Sequence, residues 1–380
     1  AGNESSAAYK NLWGTDLSLT SNPDYGIVGS PSSYSQTLSV ASADNVTVRS
    51  AYFEAAGRKI TFTDTATTNN PEGGFIRVLG GKTLDYVVVP GSGEEADYAN
   101  LNVKGKVVLV SRGVTTFAEK HEMAHAKGAA ACIVYNTEAG MINMSIDSFP
   151  IPAIFISQAD GQAMVAAAKD GVGTLTVSES TYDAPSETGG QPSSFSSWGP
   201  TEGLSLKPEI TGIGGNVFSA YYGEYFAVAS GTSMSSPAVA ASMALLRQYL
   251  KTTSIPEEDY AKVANCLLMS TATPIVDEAN GTYYFVRRQG AGLANIGNAV
   301  KSGAYITVEG TDKAKLELGD DAEKTGKYEM KFSVVNFSQE AKTYALSLQG
   351  LGQAAEGGLV KGGKVTYLTQ NYAKKLDATY

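Results

Sequence analysis

Residues 230–240 read "SGTSMSSPAVA", and the fold turns on how they are understood. A nucleophilic serine is best placed at the start of a helix. There the backbone N–H groups have no helical partner, and the dipole favours developing negative charge. Ser233 stands at such a start, before a helix expected from about 234 to 250. Gly231 lets the backbone come close to a substrate, and Pro237 fits a first helical turn, where its missing donor costs nothing. Ala238, Ala240 and Ala241 let the helix lie close under a sheet. Taken as a bare S-x-x-S-P, the same letters describe only a serine-rich helix start. The rest of the chain has to decide between the two.

Length and composition narrow the choice. A chain of 380 residues divides into two or three domains, and 43% hydrophobic content is ordinary for a folded protein. A net charge of −9 argues against a nucleic-acid partner. No apolar run approaches the length of a membrane span. The chain opens at "AGNESS" with neither an initiator Met nor a signal peptide, as expected of a processed or truncated product. Cys132 in "AACIVYN" and Cys266 in "ANCLLMS" read as small buried hydrophobes rather than a disulfide.

The texture changes along the chain. "TLSVASADN", 37–45, alternates like a strand and ends at a turn signal. From about 60 to 180, short β-branched runs ("DYVVVPG", "GKVVLVSRG", "AACIVYN", "IPAIFIS") surround one helical stretch, Phe117 to Lys127, with Gly128 as its C-cap. "YDAPSETGGQPSS", 182–194, is a connector. A Gly-rich loop, "TGIGGN", a strand-like "EYFAVAS" and the Ser233 helix follow. Residues 257–271 read as another helix, and "RRQGAGLANIGNAVKSG" holds a short closing one. From about 304 the chain alternates ("AYITVEG", "KYEMKFSVVNFS", "TYALSLQG"), the pattern of an all-β domain.

"SGTSMSSP" resembles the nucleophile motif of the subtilisin-like serine proteases, G-T-S-M-[AS]-x-P, and by that resemblance Ser233 is the nucleophile. "AGN" at the start resembles the family's A-[AG]-N segment, which makes Asn3 the donor to the oxyanion. A preorganised donor of that kind contributes about 2.7–4 kcal/mol of transition-state stabilisation. "GKVVLVSRGVTTFAEKHEMAHAKGAAACIVYN", 105–136, is similar to the core pattern of the protease-associated (PA) domain. "NPDYGIVG" at 22–29, "FSSWGP", "KPEI" and "RRQGAGLANIGNAV" resemble later landmarks, in order, of the cell-envelope subtilases of Gram-positive bacteria, the C5a peptidase and lactocepin group. One departure is local. The family's K-P-[DE]-[IV]-x-A-P-G is here "KPEITGIGG", and Gly212 and Ile213 are expected to loosen a loop near the site.

"HEMAH", 121–125, holds both histidines of the chain and matches the H-E-x-x-H of zinc proteases. On the PA helix pattern, however, Phe117, Lys120, Ala124 and the Gly128–Ala129 pair take the expected places. His121 then leans on the apolar face and His125 faces solvent. A zinc site also needs a third ligand; Cys132 is expected to be buried, and Glu138 is left by spacing. With both histidines in the PA domain, none remains as general base for Ser233, so the triad Asp and His are expected outside this chain.

The resemblance implies an α/β subtilisin-like catalytic domain with a mostly parallel sheet, in two parts, 1–55 and 183–303. It places an inserted PA domain at 56–182 and the start of a fibronectin-type β-sandwich at 304–380. It implies an extracellular serine endopeptidase, secreted or attached to the cell wall of a Gram-positive bacterium, with protein or peptide substrates. This chain would be inactive alone and would associate with the N-terminal part of the same enzyme. No cofactor is implied and no calcium ligands are assigned. The alternative is a non-catalytic PA and β-sandwich module that binds proteins.

Overall fold

The strand that leads into the site lies early in the chain. In the computed structural model, which describes residues 1–4, 26–65, 73–138, 141, 144, 146, 150–221, 225–356, 360–361, 364–365 and 370–377, "VASAD" forms β1 (Val40–Asp44). Its neighbour in space comes much later in sequence, because the chain makes a long excursion first. Contacts divide it into two units, Ala1–Val48 with Pro185–Tyr380, and Arg49–Ala184. The second unit begins inside the segment that the sequence assigned to the first catalytic part.

The excursion is built on one mixed sheet. In chain order its elements are β2 (Thr47–Ala55), β3 (Arg58–Thr61), β4 (Thr63–Asp64), α1 (Phe75–Leu79), β5 (Thr83–Val89), β6 (Val107–Ser111), α2 (Phe117–Ala126), β7 (Ala131–Tyr135), β8 (Ala153–Ile156), α3 (Gln158–Ala167) and β9 (Val172–Pro185). The strands stand in the order β3-β2-β9-β5-β6-β7-β8-β4, with β5 to β8 parallel. A parallel sheet is covered on both faces, so its strands read as unbroken apolar runs. Alternation then sorts them. Val107, Leu109, Ile133 and Ile154 enter one core, while Val108, Val110, Cys132 and Phe155 enter the other. Helix α2 starts at a reciprocal cap. Thr116 Oγ1 accepts from Glu119 N, and Thr116 N donates to Glu119 Oε2 at 2.6 Å. It ends where Gly128 takes a φ of +79°, a left-handed conformation suited to glycine.

The first unit resumes at Pro185. There follow β10 (Ile210–Gly215), the hairpin β11 (Val217–Tyr221) and β12 (Tyr225–Ala229), α4 (Thr232–Leu250) and α5 (Tyr260–Ser270). Next come the pair β13 (Val276–Asp277) and β14 (Thr282–Tyr283), then α6 (Val286–Gln289) and α7 (Ile296–Ser302). Strand β10 pairs in parallel with β1, Val40 opposite Ile210. "TGIGG" is therefore a strand and not the loop that its glycines suggested. The glycines serve contact: a Cβ on Gly212 would lie 2.9 Å from Val239 Cγ2, and one on Gly214 2.5 Å from the Gly231 carbonyl oxygen. Both neighbours belong to α4 or its cap, so the helix sits against this strand at a distance only glycine permits. Val40, Ile210, Val239, Leu246, Val263 and Leu267 form the core between these strands and α4 and α5.

Beyond α7 the order is sparser. β15 (Ala304–Thr307) pairs with β16 (Ser333–Asn336), β17 (Gly350–Glu356) with β20 (Gln370–Leu376), and β18 (Val360–Lys361) with β19 (Lys364–Val365). The alternating run "KYEMKFSVVNFS" is strand only over Ser333–Asn336, and "TYALSLQ" is not strand. Tyr328, Met330, Phe332, Val334, Tyr344 and Leu346 are all exposed. Among the described residues no helix is long and apolar enough to cross a membrane.

Candidate active site

The site grows from the junction of β12 and α4. The chain leaves the hairpin at Ser230, extends through Gly231 and turns into α4 at Thr232. Gly231 N donates to the Gly214 carbonyl at 2.8 Å, tying this turn to β10. Ser233 is the second residue of the helix and is exposed; of its neighbours' N–H groups, that of Thr232 goes to Asn3 and that of Met234 to the Gly231 carbonyl at 2.9 Å. Pro237 lies a turn deeper than the sequence suggested, inside the helix. Its missing N–H would have served the carbonyl four residues back, which is that of Ser233.

Asn3 meets this turn from the other end of the chain. Ala1 N donates to the Val40 carbonyl at 2.7 Å, Gly29 N to the Ala1 carbonyl at 2.8 Å and Ser197 N to the Gly2 carbonyl at 3.0 Å. The segment 1–3 is thereby threaded beside β1. Asn3 Oδ1 accepts twice from Thr232, from N at 2.9 Å and from Oγ1 at 3.0 Å. Both bonds use the oxygen, so the amide nitrogen is directed the other way. Nδ2 lies 3.4 Å from the point where a Cβ on Gly231 would stand. The side chain is itself exposed. One residue thus caps the helix with its oxygen and leaves its two amide N–H donors near Gly231, two residues before Ser233.

A cavity of about 470 Å³ opens at the same place, lined among others by Gly2, Gly29, Pro31, Ser32, Thr37 and Ser233. Residues 30–36 were not singled out by sequence. The peptide between Ser30 and Pro31 is cis. Thr232 was likewise passed over, although its hydroxyl and N–H anchor Asn3.

Both histidines lie on α2, in the other unit. His121 is 2% exposed, and its Nε2 donates to the Ile151 carbonyl at 2.8 Å. His125 is exposed. Glu138 is 3.9 Å from Arg112, and Cys132 is buried with its thiol pushed up to about 12 by desolvation. Among the described residues no group of three or more His, Cys, Asp or Glu side chains gathers as a metal site would require.

The PA domain family matches residues 82–164. The chain is 31% identical to the C5a peptidase of Streptococcus pyogenes serotype M3 over 345 residues, 90% of its own length and 28% of that protein's. It is 33% identical to the PII-type proteinase of Lactococcus lactis subsp. cremoris over 305 residues, 73% of its own length and 16% of that protein's. A solved structure, the psychrophilic subtilisin-like protease of an Antarctic Pseudoalteromonas, overlaps 79% of the chain and 62% of its own at 15% identity, with a TM-score of 0.33, too low to argue from. The chain therefore matches the PA domain family over residues 82–164 and is a homologue, over most of its own length, of the C5a peptidases and PII-type proteinases. It spans about a quarter of the length of the C5a peptidases it matches.

Proposed function

We propose that these 380 residues carry the nucleophile half of an extracellular serine endopeptidase. Ser233 Oγ attacks the carbonyl carbon of a peptide bond and forms an acyl-enzyme, which water then hydrolyses. The oxyanion of each tetrahedral intermediate takes hydrogen bonds from Asn3 Nδ2 and from the Ser233 N–H at the start of α4. The observation that carries the reading is the double anchoring of Asn3 Oδ1 on Thr232, which leaves the amide nitrogen as a fixed donor near Gly231, two residues before Ser233. The cavity beside it takes the substrate side chain next to the scissile bond.

His121 is committed to a backbone carbonyl, and both histidines belong to the other unit. The base and its orienting carboxylate therefore come from polypeptide outside these residues, the N-terminal part of the enzyme, and this portion alone is inactive. The catalytic domain occupies 1–55 and 183–303, with the PA domain inserted at 56–182. The exposed alternating side chains between Tyr328 and Leu346 are the inner face of a fibronectin-like sandwich begun at 304–380. Substrates are proteins or peptides. The location is outside the cell or on the wall of a Gram-positive bacterium. No cofactor takes part.

The test is a fluorophosphonate probe on the full-length protein, read by peptide mass mapping. An adduct on Ser233, lost in Ser233→Ala and unaffected by a metal chelator, is the expected result. Asn3→Ala should lower kcat about 10²–10³-fold with little change in KM. A folded full-length protein without an adduct sinks the reading in favour of a protein-binding module.

A further inference from the structure

Behind the cavity wall lies a group of buried charges that the proposed chemistry does not use. Lys207 Nζ donates to the carbonyls of Tyr34 and Thr37, both at 2.9 Å, and pairs with Glu209 Oε1 at 2.7 Å. Glu209 Oε2 accepts from Ser39 N at 2.6 Å. Lys313 Nζ donates to the Ser35 carbonyl at 2.6 Å and to Asp312 Oδ1 at 2.9 Å. Lys315 Nζ shares Glu209 Oε1 at 3.0 Å, holds the Leu206 carbonyl at 2.6 Å and meets Glu317 Oε1 at 3.0 Å. Lys207 and Glu209 have 0% side-chain exposure, and Lys313 has 2%.

Charges buried this completely are a poor way to gain stability, since desolvation offsets the attraction. Their arrangement suits a different task. The carbonyls of residues 34, 35 and 37 belong to one tight, irregular turn, and two ammonium groups from distant segments hold all three. That turn runs directly into the cavity wall: Thr37 and Ser32 line the cavity, and Thr37 Oγ1 ties back to the Ser32 carbonyl at 3.2 Å. Lys313 also links outward, since Asp312 Oδ2 accepts from Asn265 Nδ2 of α5 at 3.2 Å.

We infer that Lys207 and Lys313 are positioning residues for the substrate cavity, acting through the turn 34–37, and that segment 311–317 is a strut of the cavity although it follows the last catalytic helix. The inference rests on the serine-endopeptidase reading above. It separates two properties that a general structural role would not. The reaction of Ser233 depends on the start of α4 and on Asn3, none of which touches these lysines. The seating of a substrate side chain depends on the wall.

The experiment uses the full-length protein with Lys313→Met, Lys313→Ala and Lys207→Ala. Each variant is first checked for a cooperative melt. Expected are fluorophosphonate labelling of Ser233 within about twofold of the unsubstituted protein, KM for peptide substrates raised about tenfold, and kcat changed far less. Preference among substrates that differ only in the residue filling the cavity should broaden. A second cavity of about 300 Å³, lined by Ser35, Lys207, Lys313 and Lys315, gives small amines access to the vacated position. Propylammonium should therefore restore KM in Lys313→Ala and leave Lys313→Met unchanged. A folded variant with unaltered KM and preference, or one that loses labelling and KM in equal measure without amine rescue, overturns the inference. Absence of a Ser233 adduct in the unsubstituted protein is a separate result; it removes the underlying reading and the inference with it.

Discussion

Gly214→Ala offers the sharpest test of how the site is held. A Cβ at this position would stand 2.5 Å from the Gly231 carbonyl oxygen, 2.6 Å from Ser42 Oγ and 2.9 Å from Ser235 Cβ. Ordinary contact begins near 3.4 Å, so the Gly231 carbonyl alone must retreat by 3.4 − 2.5 = 0.9 Å. None of the three neighbours is the free end of a long side chain. Ser42 lies on buried β1, Ser235 is buried in α4, and Gly231 is fixed by its own N–H to Gly214. The strain is relieved only by pushing the start of α4 off the sheet. Overpacking of this kind costs about 1–3 kcal/mol. A displacement near 1 Å at a nucleophile costs about 10²-fold in rate. The assay is the second-order rate of fluorophosphonate labelling of the full-length protein, with urea unfolding alongside. A folded Gly214→Ala protein labelled within twofold of the parent would refute the argument that glycine sets the helix–strand distance. Gly212→Ala is the internal control. Its contacts are looser, 2.9 Å to Val239 Cγ2, 3.0 Å to the Ser235 carbonyl oxygen and 3.2 Å to Ser235 Cβ, so its effect should run in the same direction and be smaller.

Thr116→Ala removes the cap of α2 and should destabilise the unit Arg49–Ala184 by about 0.5–2 kcal/mol at neutral pH, measured by chemical denaturation. The Glu119 carboxyl is held below its ordinary value of 4.5 by the Thr116 N–H and hydroxyl. A depressed acid stabilises above its unfolded value and loses that contribution as pH falls through the folded one. The stability gap between parent and Glu119→Gln should therefore be full at pH 6 and close progressively below 4.5. Burial pushes the Cys132 and Cys266 thiols up to about 12 and about 11, so both should resist a thiol reagent at pH 8 until the protein is unfolded. Fast native-state labelling of either would contradict its placement.

The parts of this chain that sequence made legible are those where one residue type has one physical use. "SGTSMSSP" placed Ser233 at the start of a helix because glycine, small residues and proline agree there. The even apolar runs of 85–156 gave the strands, since a sheet covered on both faces leaves no polar side to alternate. Glycine misled where it had two uses: "TGIGG" carries the signal of a loop, and its real purpose, close approach of α4, depends on residues 17 to 27 positions further on. Pro237 was set one turn too early because the helix begins before the apolar pattern does. The cavity wall at 30–36 and the lysines behind it were not legible. Besides carboxylates their partners are backbone carbonyls, and sequence does not say which carbonyl a lysine will reach. The alternating tail read as strands over its whole length, but side chains that alternate form a sheet only where a partner strand is present to pair with.

Asn3 and Ser233 are brought together by strands β1 and β10, whose pairing must wait for everything between them. For a flexible chain the entropy of closing such a loop grows with the logarithm of its length. Here the excursion is built on the sheet that β2 to β9 form. At its ends Arg49 grips Asp183 with two bonds, 2.5 and 2.9 Å, and Ser186 N donates to the Val46 carbonyl at 2.9 Å. Once that unit has folded, its two exits emerge side by side. To strands β1 and β10 it is then no more than a short turn, which is why a domain can interrupt this scaffold between Asn3 and Ser233 without the scaffold paying for the distance.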